Sequence, residues 1–319
     1  MHVAILSART GWHTDELCRA LADRGHAGVV VPYEGLIATL GGSPARPGGS
    51  AFDSAQARED PPLRSQGVSL LHADAVLARI IPGGSLEQVI YRVDALHWIE
   101  DRGVLVMNSP RAIERSVNKF YTTALLHEAG LPTPETIVCE QADEAIAAIR
   151  SLGEVIIKPI FGSLGHGMVR VSDVEVARRI VRSLDQTRTV FYVQRAIDHG
   201  GRDIRVFVVG GAVLGAIERR APDGEWRTNV AIGGSATPFD LPAEWARLAL
   251  RAAAAVGADY AGVDLLPSRD GAVYVLEVNG IPGWEGLQRA TGIDVAGAIV
   301  DHLAARVQSR RASLVEDAR

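Results

Sequence analysis

Cysteine is scarce in this sequence, because its 319 residues include only Cys18 and Cys139. The two lie too far apart to form a CxxC metal or redox motif, and nothing indicates a disulfide scaffold. No apolar run approaches the roughly 20 residues that a membrane-spanning helix needs. A predicted strand already begins at Val3, so no secretory signal is expected before it. We therefore expect a cytoplasmic protein that has no membrane partner.

Net charge is also small. The chain carries 33 Lys and Arg residues against 38 Asp and Glu residues, which gives a formal net charge of −5. This balance excludes a chain built around a strongly basic nucleic-acid-binding surface, although it leaves room for a local basic patch. The hydrophobic fraction of 47% is ordinary for a globular protein with a full core. At roughly 150 residues per domain, the length predicts two or three domains.

The first part of the chain alternates between strand and helix patterns. Strands are predicted at 3–6, 29–31, 74–81 and 104–107, and helices at 14–24 (with Thr14 as N-cap) and 85–102. Such alternation with short links predicts a parallel sheet covered by helices. The Gly- and Pro-rich stretch 41–67 interrupts this pattern and is predicted to be a long surface excursion.

The rest of the chain changes from mixed to antiparallel patterns. A helix is predicted from Ser109-Pro110 towards Ala129, with a break near 116–118. Further predicted elements are strands at 155–160, 168–171 and 189–194, a helix near 173–184 capped by Ser172, hairpins around 210–211, 222–224 and 268–271, and helices at 242–256 and 293–308. The residues after Gln308 are predicted to be frayed.

A lysine and a glycine-rich loop form the most informative local motif. A predicted strand delivers Lys158, and the loop that follows contains Gly162, Ser163, Gly165 and Gly167. Glycines let backbone N–H groups approach and surround an anion. The spacing matches neither a P-loop nor the dinucleotide fingerprint, and taken alone the loop could equally be a glycine-rich hairpin turn. The apolar-flanked lysine beside it favours a nucleoside triphosphate.

Three oxygen-bearing side chains lie on two runs that are predicted to form one hairpin. Glu277 and Asn279 are two residues apart on a strand and so share a face, and Asp264 completes the set if it points the same way. Two carboxylates at one place need a cation, and hard oxygen ligands favour Mg²⁺ or Mn²⁺. The alternative, a solvated face of an edge hairpin, is disfavoured by the surrounding apolar residues.

Cationic and polar residues are predicted at the ends of neighbouring strands. Near a metal–phosphate site, arginines would stabilise charge on a transferring phosphoryl group, although each one alone is typical of a protein surface. The residues concerned are Asp203, Arg205, Arg219, Arg220, Arg227 and Asn229. Lys119, judged by its local sequence, is typical of a solvated helix lysine.

The order of these motifs resembles that of the ATP-grasp ligases, specifically the RimK-type ligases that add glutamate to a carboxylate. The resemblance covers about residues 74–300 and lies in Asn108-Ser109-Pro110 with Asn118-Lys119, IIKPIFGSLGHGM, 201–210, 226–229, and Asp264 with Glu277-Val278-Asn279. It implies an α/β and α+β fold, namely an ATP-grasp fold with an N-terminal α/β (pre-ATP-grasp) domain. We expect this domain at 1–113, a small lobe with the phosphate loop at 114–197, a metal-binding lobe at 198–308 and a tail at 309–319.

The resemblance also implies roles for individual residues. Lys119 and Lys158 would hold the ATP phosphates, the 162–167 loop would close over them, and Gln194 to Ile197 would read adenine largely through backbone groups. The implied ATP-binding residues are Lys119, Lys158, Gly162, Ser163, Gly165, Gly167, Gln194 and Ile197; the implied metal ligands are Asp264, Glu277 and Asn279; and the implied transfer-site residues are Arg205, Arg227 and Asn229.

The implied activity is ATP-dependent ligation of a carboxylate to an amine through an acyl phosphate. The cofactors would be ATP and Mg²⁺ or Mn²⁺, and the partners a small-molecule carboxylate and an amino acid, glutamate. The stretch 280–287 is similar to that of ligases that modify pterin- or furan-type cofactors, and a peptide acceptor stays open. A homo-oligomer without nucleic acid is expected. The alternative is a non-catalytic ATP-binding regulatory protein on the same fold.

Overall fold

The structure of the protein is a computed structural model that describes residues 1–41, 62–162, 167–228 and 233–317. The chain divides into two compact units. The first unit is formed by Met1–Pro110 together with Ala296–Arg319, and the second by Arg111–Val295. The four-part division into 1–113, 114–197, 198–308 and 309–319 stays a prediction.

The first unit contains the predicted parallel sheet. Its four strands are all parallel and lie in the order β2 (Ala27–Pro32), β1 (His2–Ser7), β6 (Ala75–Ala78) and β7 (Leu105–Met107). The elements of this unit are β1 (His2–Ser7), α1 (Trp12–Asp23), β2 (Ala27–Pro32), β3 (Leu36–Ala38), β4 (Leu63–Ser65), β5 (Val68–Ser69), β6 (Ala75–Ala78), α2 (Leu86–Asp101) and β7 (Leu105–Met107). A final helix runs over Val295–Asp317. Strand–helix alternation is therefore confirmed for this part of the chain.

Two details of the first unit differ from the sequence expectations. Helix α1 begins two residues before Thr14, so Gly11 is the N-cap and the Thr14 hydroxyl accepts a hydrogen bond from the Gly11 N–H at 2.8 Å. The predicted excursion 41–67 is also too long, because Leu63–Ser65 forms a strand paired with Leu36–Ala38 and Leu63 is fully buried. Residues 42–61 lie outside the described residues.

The second unit contains two antiparallel sheets. Its elements, in chain order, are α3 (Pro110–Val117), α4 (Lys119–Glu128), β8 (Thr136–Cys139), α5 (Ala142–Leu152), β9 (Val155–Lys158), β10 (Val169–Val171), α6 (Val174–Asp185), β11 (Phe191–Arg195), β12 (Arg202–Val209), β13 (Ala212–Arg220), β14 (Ser235–Pro238), α7 (Ala243–Val256), β15 (Tyr260–Pro267), β16 (Val273–Asn279) and α8 (Glu285–Thr291). The helix after the second unit, Val295–Asp317, is α9. The sheet orders are β10-β9-β11-β8 and β14-β13-β12-β15-β16.

From Pro110 onwards, most of the predicted elements are present. The helix break is confirmed at Asn118, whose side chain caps α4 by accepting from the Tyr121 N–H at 3.1 Å. Asp173, and not Ser172, caps α6, because its carboxylate accepts from two backbone N–H groups of the first turn. Helix α9 continues past Gln308 to Asp317 instead of fraying. Helix α5 was not predicted, since much of its buried face is alanine and gives a weak apolar pattern.

Each sheet of the second unit packs one face against helices, and the other face carries the polar site residues. Helices α5 and α6 pack on the face that carries Ile157, Phe191 and Val193. In the five-stranded sheet, Ile204, Val206 and Val263 belong to a core shared with α7. Because side chains alternate along a strand, the residues between these apolar positions point to the opposite faces. The candidate site residues of β9, β11, β12, β15 and β16 lie there.

None of the helices formed by the described residues is both long enough and apolar enough to cross a membrane.

Candidate active site

Lys158 is a buried cation held by a chain of hydrogen bonds. Its Nζ donates to Oε1 of Gln194 at 2.6 Å, and Nε2 of Gln194 donates to Oγ1 of Thr136 at 2.9 Å and to Oη of Tyr192 at 3.1 Å. Only 7% of Lys158 is exposed. Gln194 thus orients the ammonium without neutralising it, which leaves its positive charge for an anionic ligand.

Burial lowers the pKa of Lys158 to about 8. The nearby carboxylate of Glu277 opposes this shift of the pKa, and the neighbouring cation Lys119 adds to it. A lowered pKa means that the protein environment disfavours the charged form. Binding of an anion such as a phosphate would offset the free-energy cost of keeping the Lys158 ammonium charged.

Lys119 joins the start of α4 to the glycine-rich loop. Its backbone N–H donates to the Ile160 carbonyl at 3.3 Å, and its Nζ donates to the Gly162 carbonyl at 2.7 Å. Burial lowers its pKa, and Glu277 partly opposes that shift. The lysine that local sequence describes as solvated therefore lies beside Lys158 and the loop.

Asp264 lies at the centre of the five-stranded sheet's polar face. It is 3% exposed, and it pairs directly with Glu277 across β15 and β16, with a register shift after Asp264. Arg205 donates to both of its oxygens, with Nη2–Oδ2 at 2.8 Å, and Arg219 Nη2 lies 2.9 Å from Oδ2. Burial alone would raise the pKa of Asp264, but the two guanidinium groups hold it well below its usual range.

Among the described residues, Glu277 has no such partner. Burial first, and then the charge of Asp264, raise the pKa of its carboxyl, while Arg205, Lys119 and Lys158 oppose this shift. No described residue donates a hydrogen bond to its carboxylate. Next to it, the Asn279 side-chain oxygen accepts from the Ile281 N–H at 3.0 Å. Among the described residues, the half-buried carboxylate of Glu277 thus lacks a counter-charge in direct contact.

The donor set of this face fits a hard divalent cation. Asp264, Glu277 and Asn279 all offer oxygen, the ligand atom that Mg²⁺ and Mn²⁺ prefer. Within the described ranges, no three His, Cys, Asp or Glu side chains form a cluster that could hold a metal. Two carboxylates and one amide would leave coordination positions for oxygens of a nucleotide, which is the usual arrangement for Mg²⁺ in phosphate-transferring sites.

Gly262 makes room for Arg205. A Cβ atom at Gly262 would lie 3.0 Å from Nη1 and 3.1 Å from Cδ of Arg205, and 3.0 Å from Cβ of Pro282. Distances of 3.0–3.4 Å are tighter than nine in ten real Cβ contacts, so a methyl group here would force Arg205 or Pro282 to shift by a few tenths of an ångström. The φ of Gly262 is not in the left-handed region, so its backbone conformation does not require glycine. In the sequence, only its position two residues before Asp264 indicated that it belongs to the site.

The remaining predicted residues divide into three groups. Arg227 pairs with Glu225 at 2.6 Å, and Arg220 pairs with Glu218 at 2.6 Å on the opposite face of the sheet. Ser163, Gly165 and Asn229 lie outside the described residues. Gly162 and Gly167 lie at the two ends of the glycine-rich loop, and Gly167 has a left-handed φ of 74°.

At the strand end from Gln194 to Ile197, two backbone N–H groups already form hydrogen bonds within the protein. The Arg195 N–H donates to the Glu135 carbonyl at 2.8 Å, and the Ala196 N–H donates to the Glu154 carbonyl at 2.9 Å. Two backbone donors of the predicted adenine hinge are therefore already bonded. The link from Gln194 to Tyr192 and Thr136 was missed from the sequence, because it depends on which strands are neighbours.

Comparison with known families agrees with this arrangement. Residues 116–303, more than half of the chain, match the model of the RimK-like ATP-grasp domain. The tetrahydromethanopterin:alpha-L-glutamate ligase of Methanosarcina acetivorans is 37% identical, over 74% of this chain and 81% of that protein. The protein of the same name from Methanococcus maripaludis is 30% identical, over 94% of this chain and 97% of the relative.

Solved structures show the same fold. The RimK domain ATP-grasp protein of Sphaerobacter thermophilus has a TM-score of 0.70 and 22% identity, covering 95% of this chain and 99% of its own. The ATP-grasp ligase PsnB, complexed with a minimal precursor, has a TM-score of 0.72 and 21% identity, covering 95% and 98%. PsnB has also been solved with Mg and ADP.

The fold and the polar sheet faces define an ATP-grasp protein. The chain belongs to the RimK-like ATP-grasp family and is an ATP-grasp carbon–nitrogen ligase. Both the resemblance and the ATP-grasp fold expected from the sequence are confirmed. ATP-grasp proteins bind ATP with Mg²⁺. The non-catalytic alternative has no support, because the curated relatives are named as ligases.

Substituting Gly262→Ala tests whether the space that Gly262 leaves for Arg205 is needed. The added methyl group crowds the Arg205 guanidinium, which donates to Asp264, and we expect kcat for the ligation to fall about tenfold, which corresponds to about 1.4 kcal/mol. Steady-state ADP release measures it. Gly83→Ala is the matched control, since a Cβ there would meet nothing within 4 Å. Unchanged kcat in Gly262→Ala would contradict the requirement for glycine beside Arg205.

The pH dependence of unfolding tests the burial of Lys158. Its pKa is about 8 in the folded chain and about 10.4 when unfolded, so between these values the unfolded state binds more protons and stability rises with pH. Relative to Lys158→Met, the ligand-free protein should gain about 2 kcal/mol between about pH 7 and pH 10. Urea unfolding at each pH measures this gain. Parallel stability curves for the two proteins would refute it.

Proposed function

We propose that this ligase uses ATP to join L-glutamate, through its amine, to a carboxylate of a pterin-type cofactor. The observation that carries the proposal is the match over 94% of this chain to a relative named tetrahydromethanopterin:alpha-L-glutamate ligase. Two further relatives, from Methanosarcina acetivorans and Methanocaldococcus jannaschii, have the same name. Relatives from Trichodesmium and Legionella are named as probable alpha-L-glutamate ligases, which supports the amino acid independently of the acceptor.

The reaction has two steps. A carboxylate oxygen of the acceptor attacks the γ-phosphorus of ATP, and the bond to the β-phosphate oxygen breaks to release ADP. The resulting acyl phosphate is attacked at its carbonyl carbon by the glutamate amine, which loses a proton as inorganic phosphate leaves. An acyl phosphate is open to hydrolysis, so the protein must keep water from it between the steps.

Two lysines are assigned to the phosphates of ATP. Lys158 is fixed by Gln194, and Lys119 is fixed at the glycine-rich loop, so both ammonium groups are oriented before ATP binds. Groups oriented in advance stabilise developing charge without reorganising during the reaction. The loop of Gly162, Ser163, Gly165 and Gly167 would cover the phosphates, and the 194–197 strand end would contact the base.

The metal-facing residues have a separate role. Asp264, Glu277 and Asn279 would hold Mg²⁺ or Mn²⁺, which neutralises charge on the transferring phosphoryl group. Arg205 donates to Asp264, so its guanidinium would lie near that phosphoryl group when ATP is bound. Arg227 and Asn229 are assigned to the same transfer site by the proposal. The proposed substrates, besides ATP, are a carboxylate-bearing small molecule and glutamate. The protein is also proposed to form a homo-oligomer.

Product formation tests the proposed substrates. With ATP and Mg²⁺, ADP release should require both L-glutamate and a reduced pterin that bears a carboxylate, and mass spectrometry should detect the acceptor extended by glutamate. A furan-type acceptor and a short peptide are the comparators. Turnover with either comparator but not with the pterin would contradict the assigned acceptor, and turnover with another amino acid in place of glutamate would contradict the assigned donor.

Removing a metal-facing carboxylate tests the site. Asp264→Ala or Glu277→Ala should lower kcat by about two orders of magnitude, because the phosphoryl charge loses its neutralising cation. Glu218→Gln is the control, since it removes an arginine-paired carboxylate from the opposite face of the same sheet. Full turnover in either alanine variant would refute the metal assignment.

A further inference from the structure

Asp203 is a buried carboxylate that none of the assigned roles uses. It is 3% exposed, and it accepts two hydrogen bonds from Arg219, from Nε at 2.7 Å and from Nη2 at 2.6 Å. A third hydrogen bond comes from Oγ1 of Thr228 at 2.6 Å. Both partners are only 6% exposed, so all three groups lie away from water.

Arg219 bridges two carboxylates on different strands. Asp203 on β12 is directly opposite Arg219 on β13, and Asp264 is on β15 at the other side of β12. The same Nη2 atom that donates to Asp203 lies 2.9 Å from Oδ2 of Asp264. The guanidinium therefore spans β12 and fixes the distance between the two acids.

The charges of this cluster balance. Two carboxylates, Asp203 and Asp264, face two guanidinium groups, Arg205 and Arg219. Removing the charge of Asp203 would leave two arginines against Asp264 alone. A divalent cation approaching Asp264 would then meet the uncompensated positive charge of Arg219, whose Nη2 lies 2.9 Å from Oδ2 of Asp264.

We propose that Asp203 is a positioning residue that fixes and neutralises Arg219 beside Asp264, and thereby keeps the Asp264 carboxylate able to bind the divalent cation of the nucleotide. The inference rests on the proposed metal-binding role of Asp264. Asp203 does not touch substrate or cation. Its hydrogen bond to Thr228 also connects this cluster to the residue that follows Arg227.

Direct binding of Mn²⁺ to the full chain, with ADP present and with no acceptor or amino acid, tests the proposal. Asp203→Asn should weaken Mn²⁺ binding about tenfold, the scale found for residues that orient metal ligands. The loss of the free-ion paramagnetic resonance signal measures the binding. Glu218→Gln should leave it unchanged, because that carboxylate pairs with arginines on the opposite face.

A double-substitution cycle separates positioning from a general structural effect. Because Asp203 acts through Arg219, Asp203→Asn should have no further effect on Mn²⁺ binding in an Arg219→Gln background. Unchanged Mn²⁺ affinity in Asp203→Asn overturns the proposal, and so does a full effect that persists in the Arg219→Gln background. A lower melting temperature alone, with unchanged Mn²⁺ affinity, indicates a purely structural residue and also overturns it.

A second variant keeps the test decisive if Asp203→Asn does not fold. Arg219→Lys retains the positive charge, but an ammonium cannot bridge the two carboxylates as the planar guanidinium does. It should weaken Mn²⁺ binding by a similar factor, and an unchanged affinity overturns the proposal. The acceptor is absent from this measurement. Failure to glutamylate a pterin therefore contradicts the proposed function without affecting the result for Asp203.

Discussion

Burial of charge on one face of the five-stranded sheet is the constraint on which the site depends. A buried carboxylate that loses its partner costs several kcal/mol, on the order of 3–5 kcal/mol. The chain meets this cost for Asp264 with two guanidinium groups and leaves Glu277 without a hydrogen-bond donor among the described residues. One acid is thus satisfied by the protein itself, and its neighbour is balanced only when a ligand arrives.

On the four-stranded sheet of the second unit, the charge that lacks a counter-charge is positive. Lys158 is bonded to a neutral amide rather than to a carboxylate, and burial keeps its pKa low. The two sheet faces therefore carry opposite unbalanced charges, an ammonium on one and a carboxylate on the other. A phosphate–metal pair is a ligand that neutralises both at once, which is why Mg²⁺ and ATP are suited to this arrangement as a unit.

Period-two alternation made the central part of the site predictable from sequence, since it places Glu277 and Asn279 on one face and hides the apolar residues between them. Pairings between strands distant in the chain could not be predicted, and these carry the Arg219 bridge and the link from Gln194 to Lys158. Errors in the predicted N-caps were small: the observed N-caps are Gly11, three residues before Thr14, and Asp173, one residue after Ser172.

The chain order of the two units has a consequence for synthesis and truncation. The first unit is left after Pro110 and completed only by Ala296–Arg319, whose helix α9 forms ion pairs between Asp301 and Arg24 and between Arg311 and Asp74. During synthesis, the whole second unit is therefore made before the last helix of the first unit. Shortening the protein from its C-terminal end would first damage the N-terminal unit, far along the sequence from the cut.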